Sequence, residues 1–295
     1  MSKILLRRHV RALAFISVLT AVLLPLITST TRAVDKMSAE DVLAKHLESI
    51  GPAEARSSAH SRIVVGTSHG NFNARNNVGT VDGRVVIGSM GRKILYAMAF
   101  PNPSYPSEKF GFDGKKVTVG YLKPGIRSTL ESIVLIQDVV FKEGLVGGTL
   151  SSAWPLLDIA ERKAKLEYAG TEKIGGQLAH KLRYSPNKSS DVEITLYFDA
   201  KTFQHVRTQY ERVVAPRIRA GGIDAQAGQR GTRYLIVEDF SDYKPEGKLN
   251  LPHSYKLELD IDNPNGTSTH KWEMSLSQFM FDQDIDEKGF NVEEN

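Results

Sequence analysis

Seven histidines lie beyond residue 33: His46, His60, His69, His180, His205, His253 and His270. Imidazole is the commonest metal ligand and general base, so their spacing is the first test for chemistry. No pair stands at i, i+4 on a helix, and no His-Glu-x-x-His occurs. The reading expected is exposed or strand-edge histidines. The acids Asp282, Asp284 and Asp286, with Glu293 at the twelfth position, follow calcium-loop spacing. Position six is Glu287, where the turn needs glycine, so a solvated terminal turn is expected instead. No Walker loop is present, and no hydrolase nucleophile is signalled. The chain is therefore expected to have no catalytic residues, no metal site and no cofactor.

What remains as a chemical resource is apolar surface. Val192, Ile194, Leu196 and Phe198 alternate with Glu193 and Thr195. Tyr255, Leu257, Leu259 and Ile261 alternate with Lys256, Glu258 and Asp260, and Trp272, Met274 and Leu276 with Lys271, Glu273 and Ser275. A period of two with one wet and one dry face marks antiparallel sheet. Between two series of such strands lies a different segment. Ser128 and Glu131 form a capping box, followed by Leu130, Ile133, Val134, Leu135, Ile136, Val139, Val140 and Phe141. That helix is apolar over more than one stripe, which predicts burial on most sides or a place inside a cavity. The candidate lining of such a cavity is Ile133, Ile136, Val140, Phe141, Ile194, Leu196, Phe198, Leu257, Leu259, Trp272 and Met274.

The elements that must position these residues follow from the turn signals. Ser38 and Asp41 cap a first helix, which Gly51-Pro52 stops. Short strands are expected at 62–68, 79–88, 93–100, 109–112 and 116–121, with Asp82-Gly83 and Asp113-Gly114 as hairpin turns. After the apolar helix, Gly147-Gly148 is a break and 151–157 a further helical turn. Strands are expected at 163–168, 177–184, 192–198, 203–213, 233–240, 254–261 and 267–281, with the glycine-containing stretch 214–231 as a long loop. The fold class expected is mainly β with a few helices (α+β). About a dozen antiparallel strands form an incomplete barrel, with helices covering or filling its concave face.

Residues 1–33 have the parts of a cleavable secretory signal. Lys3, Arg7, Arg8 and Arg11 precede an apolar run from Phe15 to Ile27, and Thr31-Arg32-Ala33 supplies small residues for the peptidase. That run of about 13 residues is short of the roughly 20 that a spanning helix needs. The mature chain then starts near Val34 as one domain, 34–295. The formal charge of +4 falls to −1 when the five cations of 1–33 are removed, since that segment holds no acid. A basic patch for nucleic acid is thus not expected. There is no cysteine, hence no disulfide and no thiol to carry a lipid anchor. A soluble periplasmic location is expected.

The order of elements resembles the outer-membrane lipoprotein-sorting superfamily, which includes the periplasmic lipoprotein carrier. The resemblance rests on the signal followed by the capped helix Ala39-Glu-Asp-Val-Leu-Ala-Lys-His-Leu47, on Leu196-Tyr-Phe-Asp-Ala-Lys-Thr-Phe203, and on Val237-Glu-Asp-Phe-Ser-Asp-Tyr-Lys244. Leu251-Pro-His253 and a C-terminal end at Asp284-Ile-Asp-Glu-Lys-Gly-Phe290 complete it. Residues 122–160 and 214–231 depart from the compact carrier. The resemblance implies a half-open barrel with helices lidding an apolar cavity, and carriage of lipid or lipoprotein acyl chains through the periplasm. Partners would be those acyl chains and inner- or outer-membrane sorting components, with the chain acting as a monomer. An envelope sensor or interaction module that binds another periplasmic protein is the alternative. A hydrolase is a third reading, for which no nucleophile elbow is expected.

Overall fold

The computed structural model describes residues 37–74, 77–215 and 231–293. The signal segment and most of the 214–231 loop lie outside the described residues. Two helices come first. Helix α1 (Ala39–Ile50) starts in the expected capping box, Ser38 accepting from the Asp41 amide at 3.0 Å while Asp41 accepts from Ser38, and ends at Gly51. The short α2 (Ala53–Ser58) begins directly after Pro52, whose fixed φ suits a helix start.

Five strands follow: β1 (Ser61–Ala74), β2 (Asn77–Met90), β3 (Lys93–Ala99), β4 (Ser107–Phe112) and β5 (Val117–Val119). The chain then leaves the sheet through α3 (Thr129–Ile136), α4 (Val139–Lys142), 3-10 turns at Gly148–Leu150 and Pro155–Leu157, and α5 (Ile159–Arg162). Seven strands complete the molecule: β6 (Lys165–Ile174), β7 (Gln177–Ser185), β8 (Glu193–Asp199), β9 (His205–Val214), β10 (Thr232–Glu246), β11 (Leu249–Asn263) and β12 (Gly266–Phe281). All twelve pair antiparallel in one open sheet ordered β5-β4-β3-β2-β1-β12-β11-β10-β9-β8-β7-β6. This is the half-open barrel that the sequence predicts.

The topology dictates where the helical segment lies. The chain walks outward from β1 to one edge at β5, then must reach the other edge at β6. Residues 120–164 make that crossing over one face of the sheet, with α3 against β4 and β5 and the first 3-10 turn against β9 and β11. The sheet curls around this segment. Strands β3 and β11 are four steps apart, about 19 Å on a flat sheet at the usual spacing. Yet the Tyr96 and Tyr255 rings are 6.2 Å apart, and Tyr96 Oη reaches Met274 Sδ on β12 at 3.0 Å. The open edges are guarded: β5 is only three residues long, and β6 carries exposed Lys165, Glu167, Glu172 and Lys173.

Three local expectations are corrected. Asp82-Gly83 is not a turn but the middle of β2, which pairs without interruption with β1. Gly83 is there because a Cβ would collide with the Ala99 carbonyl oxygen. The apolar helix does not run through to Phe141. It breaks at Gln137, whose backbone (φ −114°, ψ 41°) leaves the helix, and it buries only one side, leaving Leu135 half-buried and Ile136 52 % exposed. Strand β8 is dry on both faces rather than one: Thr195 and Tyr197 are buried as well. On that second face the Tyr197 hydroxyl donates to Gln209 at 2.9 Å and the Lys181 amine lies 5.6 Å from its ring, so long neighbours shield it.

Candidate functional site

The site is the interior between the curled sheet and the segment that crosses it, called the plug below. Its apolar side comes from Leu130, Val134, Val140 and Phe141, which the α3 capping box and the break at Gln137 aim at the sheet. Facing them are Tyr96, Phe110, Tyr210, Ile236 and Leu257 from five strands. A cavity of about 20 Å³ remains between the two, roughly the space of one water molecule.

Polar anchors hold the plug in place, and most are fully buried. Glu238 on β10 accepts from the Gly147 amide at 2.8 Å and from the Tyr210 and Tyr255 hydroxyls, each at 2.5 Å. Burial raises its pKa, and these three donors oppose the rise. Glu108 on β4 accepts from Tyr105 and from Ser128 Oγ at 2.7 Å. Desolvation, then the neighbouring Glu131 carboxylate, pushes it up to about 8. Arg62, 2 % exposed, donates to the Thr149 carbonyl oxygen, and burial lowers its pKa to about 10. The Ser152 amide donates to Ser89 Oγ at 2.8 Å.

A buried aromatic and imidazole cluster secures the far end of the plug. Trp154 Nε1 donates to His46 Nε2 at 3.0 Å, while His46 Nδ1 stands 3.0 Å from the Phe203 carbonyl oxygen. These two contacts together require the neutral tautomer with the proton on Nδ1. Burial lowers the His46 pKa to about 4. The Trp154 ring stacks on His205 at 4.7 Å, and Gly148 passes so close that a Cβ would sit 2.7 Å from His205 Nδ1. The expectation of exposed histidines is therefore corrected for His46, His180, His205 and His270, all buried. Pairing of both ring nitrogens explains it for His46, whereas His180, His205 and His270 are buried by stacking on Phe203, Trp154 and Trp272.

Of the residues expected to line a cavity, Val140, Phe141 and Leu257 border it. Ile133 is buried in the plug but off the cavity, and Ile194, Leu196, Phe198, Leu259, Trp272 and Met274 belong to the packed core around it. Ile136 lies on the outer surface. The residues that the sequence reading passed over are chiefly Glu238 and Gln137. Glu238 did leave a signal, an acid on the same strand face as Ile236 and Phe240. Gln137 likewise interrupts an apolar run. The string Gly66-Thr67-Ser68-His69-Gly70 was also passed over, although it has the spacing of a nucleophile elbow. It lies mid-strand in β1, where adjacent side chains take opposite faces. Ser68 points inward to Met98 Sδ at 3.4 Å, while His69 is outside, 2.7 Å from Asp82. The two do not form a catalytic pair. Among the described residues no three metal-ligating side chains converge.

Two outer grooves open at opposite ends of the strands. One, of about 540 Å³, lies beside the β1–β2 and β11–β12 turns and the 122–129 segment, and nine of its twenty lining residues are Asn, Ser or Thr. The other, of about 890 Å³, lies beside the β2–β3, β4–β5 and β7–β8 turns and the α3–α4 break.

No family model matches the sequence, and no curated protein matches it significantly. Solved structures similar to the chain include a LolA superfamily protein from Nitrosomonas europaea, at 13 % identity and a TM-score of 0.47, covering 88 % of this chain and 100 % of that one. A DUF1329 family protein from Desulfovibrio piger has 10 % identity and a TM-score of 0.43, covering 87 % and 98 %. An outer membrane lipoprotein-sorting protein domain from Vibrio parahaemolyticus has 16 % identity and a TM-score of 0.42, covering 86 % and 98 %.

Proposed function

We propose that the protein is an exported, periplasmic binder and carrier of acyl chains, from lipids or lipoproteins, which works without catalytic chemistry. The observation that carries this reading is a curled sheet whose apolar inner face is covered by a segment that contributes no strand to it. Ligand pockets usually measure about 300–1,000 Å³, far above the 20 Å³ present, so this is the closed state and the plug must move for cargo to enter. The apolar side chains of α3 and α4 occupy the ground that an acyl chain would take. An acyl chain gains about 0.8 kcal/mol per buried methylene, so a long chain compensates for their displacement. Among the described residues both sheet edges are unpaired, which leaves the curl free to widen.

The test uses the natural absence of cysteine. Ser89→Cys with Ser152→Cys joins β2 to the plug where the two residues already touch. The wild-type mature protein should retain lipid in native mass spectrometry or bind a fluorescent C11–C16 fatty acid. The oxidised pair should lose that binding and regain it on reduction. A wild-type protein that carries no lipid and binds no acyl compound would end the carrier reading. If it is instead recovered from envelope extract with a stoichiometric protein partner, the interaction-module reading replaces it.

A further inference from the structure

We propose that the 890 Å³ groove is the headgroup site for an anionic acyl lipid, and that Gln137 marks the point where the chain passes inside; this rests on the carrier reading. Gln137 is 2 % exposed, and neither its amide nitrogen nor its amide oxygen has a hydrogen-bond partner. Such an orphaned buried amide is uncommon in folded proteins and asks for an explanation. Its position supplies one. Gln137 borders the internal apolar cavity on one side and the outer groove on the other. It also caps α3, where the helix breaks before α4. A primary amide offers two donors and an acceptor, which suits the carboxyl or ester that joins a head to its chain.

The groove's charges give the sign of the head. Its acids are mostly engaged: Asp138 pairs with Lys142 at 2.5 Å, Asp191 with Arg212 at 2.7 Å, and Glu143 accepts from Tyr184 at 2.6 Å. Exposed Glu161 and half-buried Glu143, whose charge the tyrosine hydroxyl leaves intact, are the acids without a cation partner among the described residues. Against them stand exposed Arg92, Lys163 and Lys188, which form no ion pair with any described residue, while Lys115 lies near Asp113. Exposed Ile136 and half-buried Val139 form an apolar lip next to Gln137. The groove thus combines surplus positive charge, an apolar lip and a buried amide on one path. The opposite mouth lacks this surplus, since Arg127 is the one lysine or arginine in its lining and Glu108 stands in the same lining.

Palmitate and its methyl ester, titrated below micelle-forming concentration at low ionic strength, separate head from chain. The wild-type mature protein should bind palmitate at least ten-fold tighter than the ester. Arg92→Ala/Lys163→Ala/Lys188→Ala should bring palmitate to the ester's affinity and leave the ester unchanged, which also reports that the variant is folded. Gln137→Leu should weaken both. Equal wild-type binding of the two compounds, or a triple variant that keeps the preference, would overturn the headgroup site alone. Unchanged binding by Gln137→Leu would remove Gln137 from the path. Binding of neither compound by the wild type overturns the carrier reading itself.

Discussion

Glu108 and His46 put opposite pH dependences into one interior. Glu108 has its pKa raised from 4.5 to about 8 by burial and then by Glu131. The unfolded chain releases this proton near 4.5 and the folded protein keeps it to about 8. Stability from Glu108 is thus complete below 4.5 and is lost as the pH rises to 8. His46, lowered by burial from 6.5 to about 4, contributes stability that is complete above 6.5 and is lost as the pH falls to 4. Between 4.5 and 6.5 the two slopes oppose one another, and above 6.5 the Glu108 slope acts without that of His46. The urea midpoint should therefore decline from pH 6.5 to 8, and Glu108→Gln should flatten part of that decline, Glu238 adding to it in the same direction. A variant that declines as steeply as the wild type contradicts this assignment. None of these shifts was legible in the sequence, because each arises chiefly from burial, which distant elements impose when the sheet curls.

At the scale of elements, capping chemistry read true and element limits did not. The Ser-x-x-Asp and Ser-x-x-Glu boxes are local hydrogen-bond patterns, and both start helices where expected. Strand lengths are set by the neighbour across the ladder, so β1, β2, β10 and β11 run well past their alternating segments. The plug is the element whose form depends most on its surroundings. At Gly148 the backbone takes φ +50° against His205, a conformation that costs a side-chain-bearing residue about 1–3 kcal/mol. Gly148→Ala should lower the unfolding free energy by at least that much. Gly289→Ala, where the space around the glycine is open, serves as a neutral control. Equal urea midpoints for the two variants would show that the contact with His205 does not constrain the plug.

For the whole molecule, the twelve-stranded sheet accommodates a crossover from edge to edge, and that crossover fills the interior. When the full chain is expressed in a Gram-negative host, the product recovered from the periplasm should have a mass and N-terminus that begin near Val34. A periplasmic product retaining residues 1–33 would show that the segment is not cleaved. The sequence by itself determined the β-rich class, the number of strands, the capped helices and the apolar character of 128–157, because alternation, capping and turn residues act over a few neighbours. Only the tertiary structure decided that β2 passes straight through Asp82-Gly83, that four histidines are buried, and that the interior is closed around Glu238 and Gln137. Those outcomes depend on which distant groups meet when the sheet curls, and no local spacing encodes such meetings.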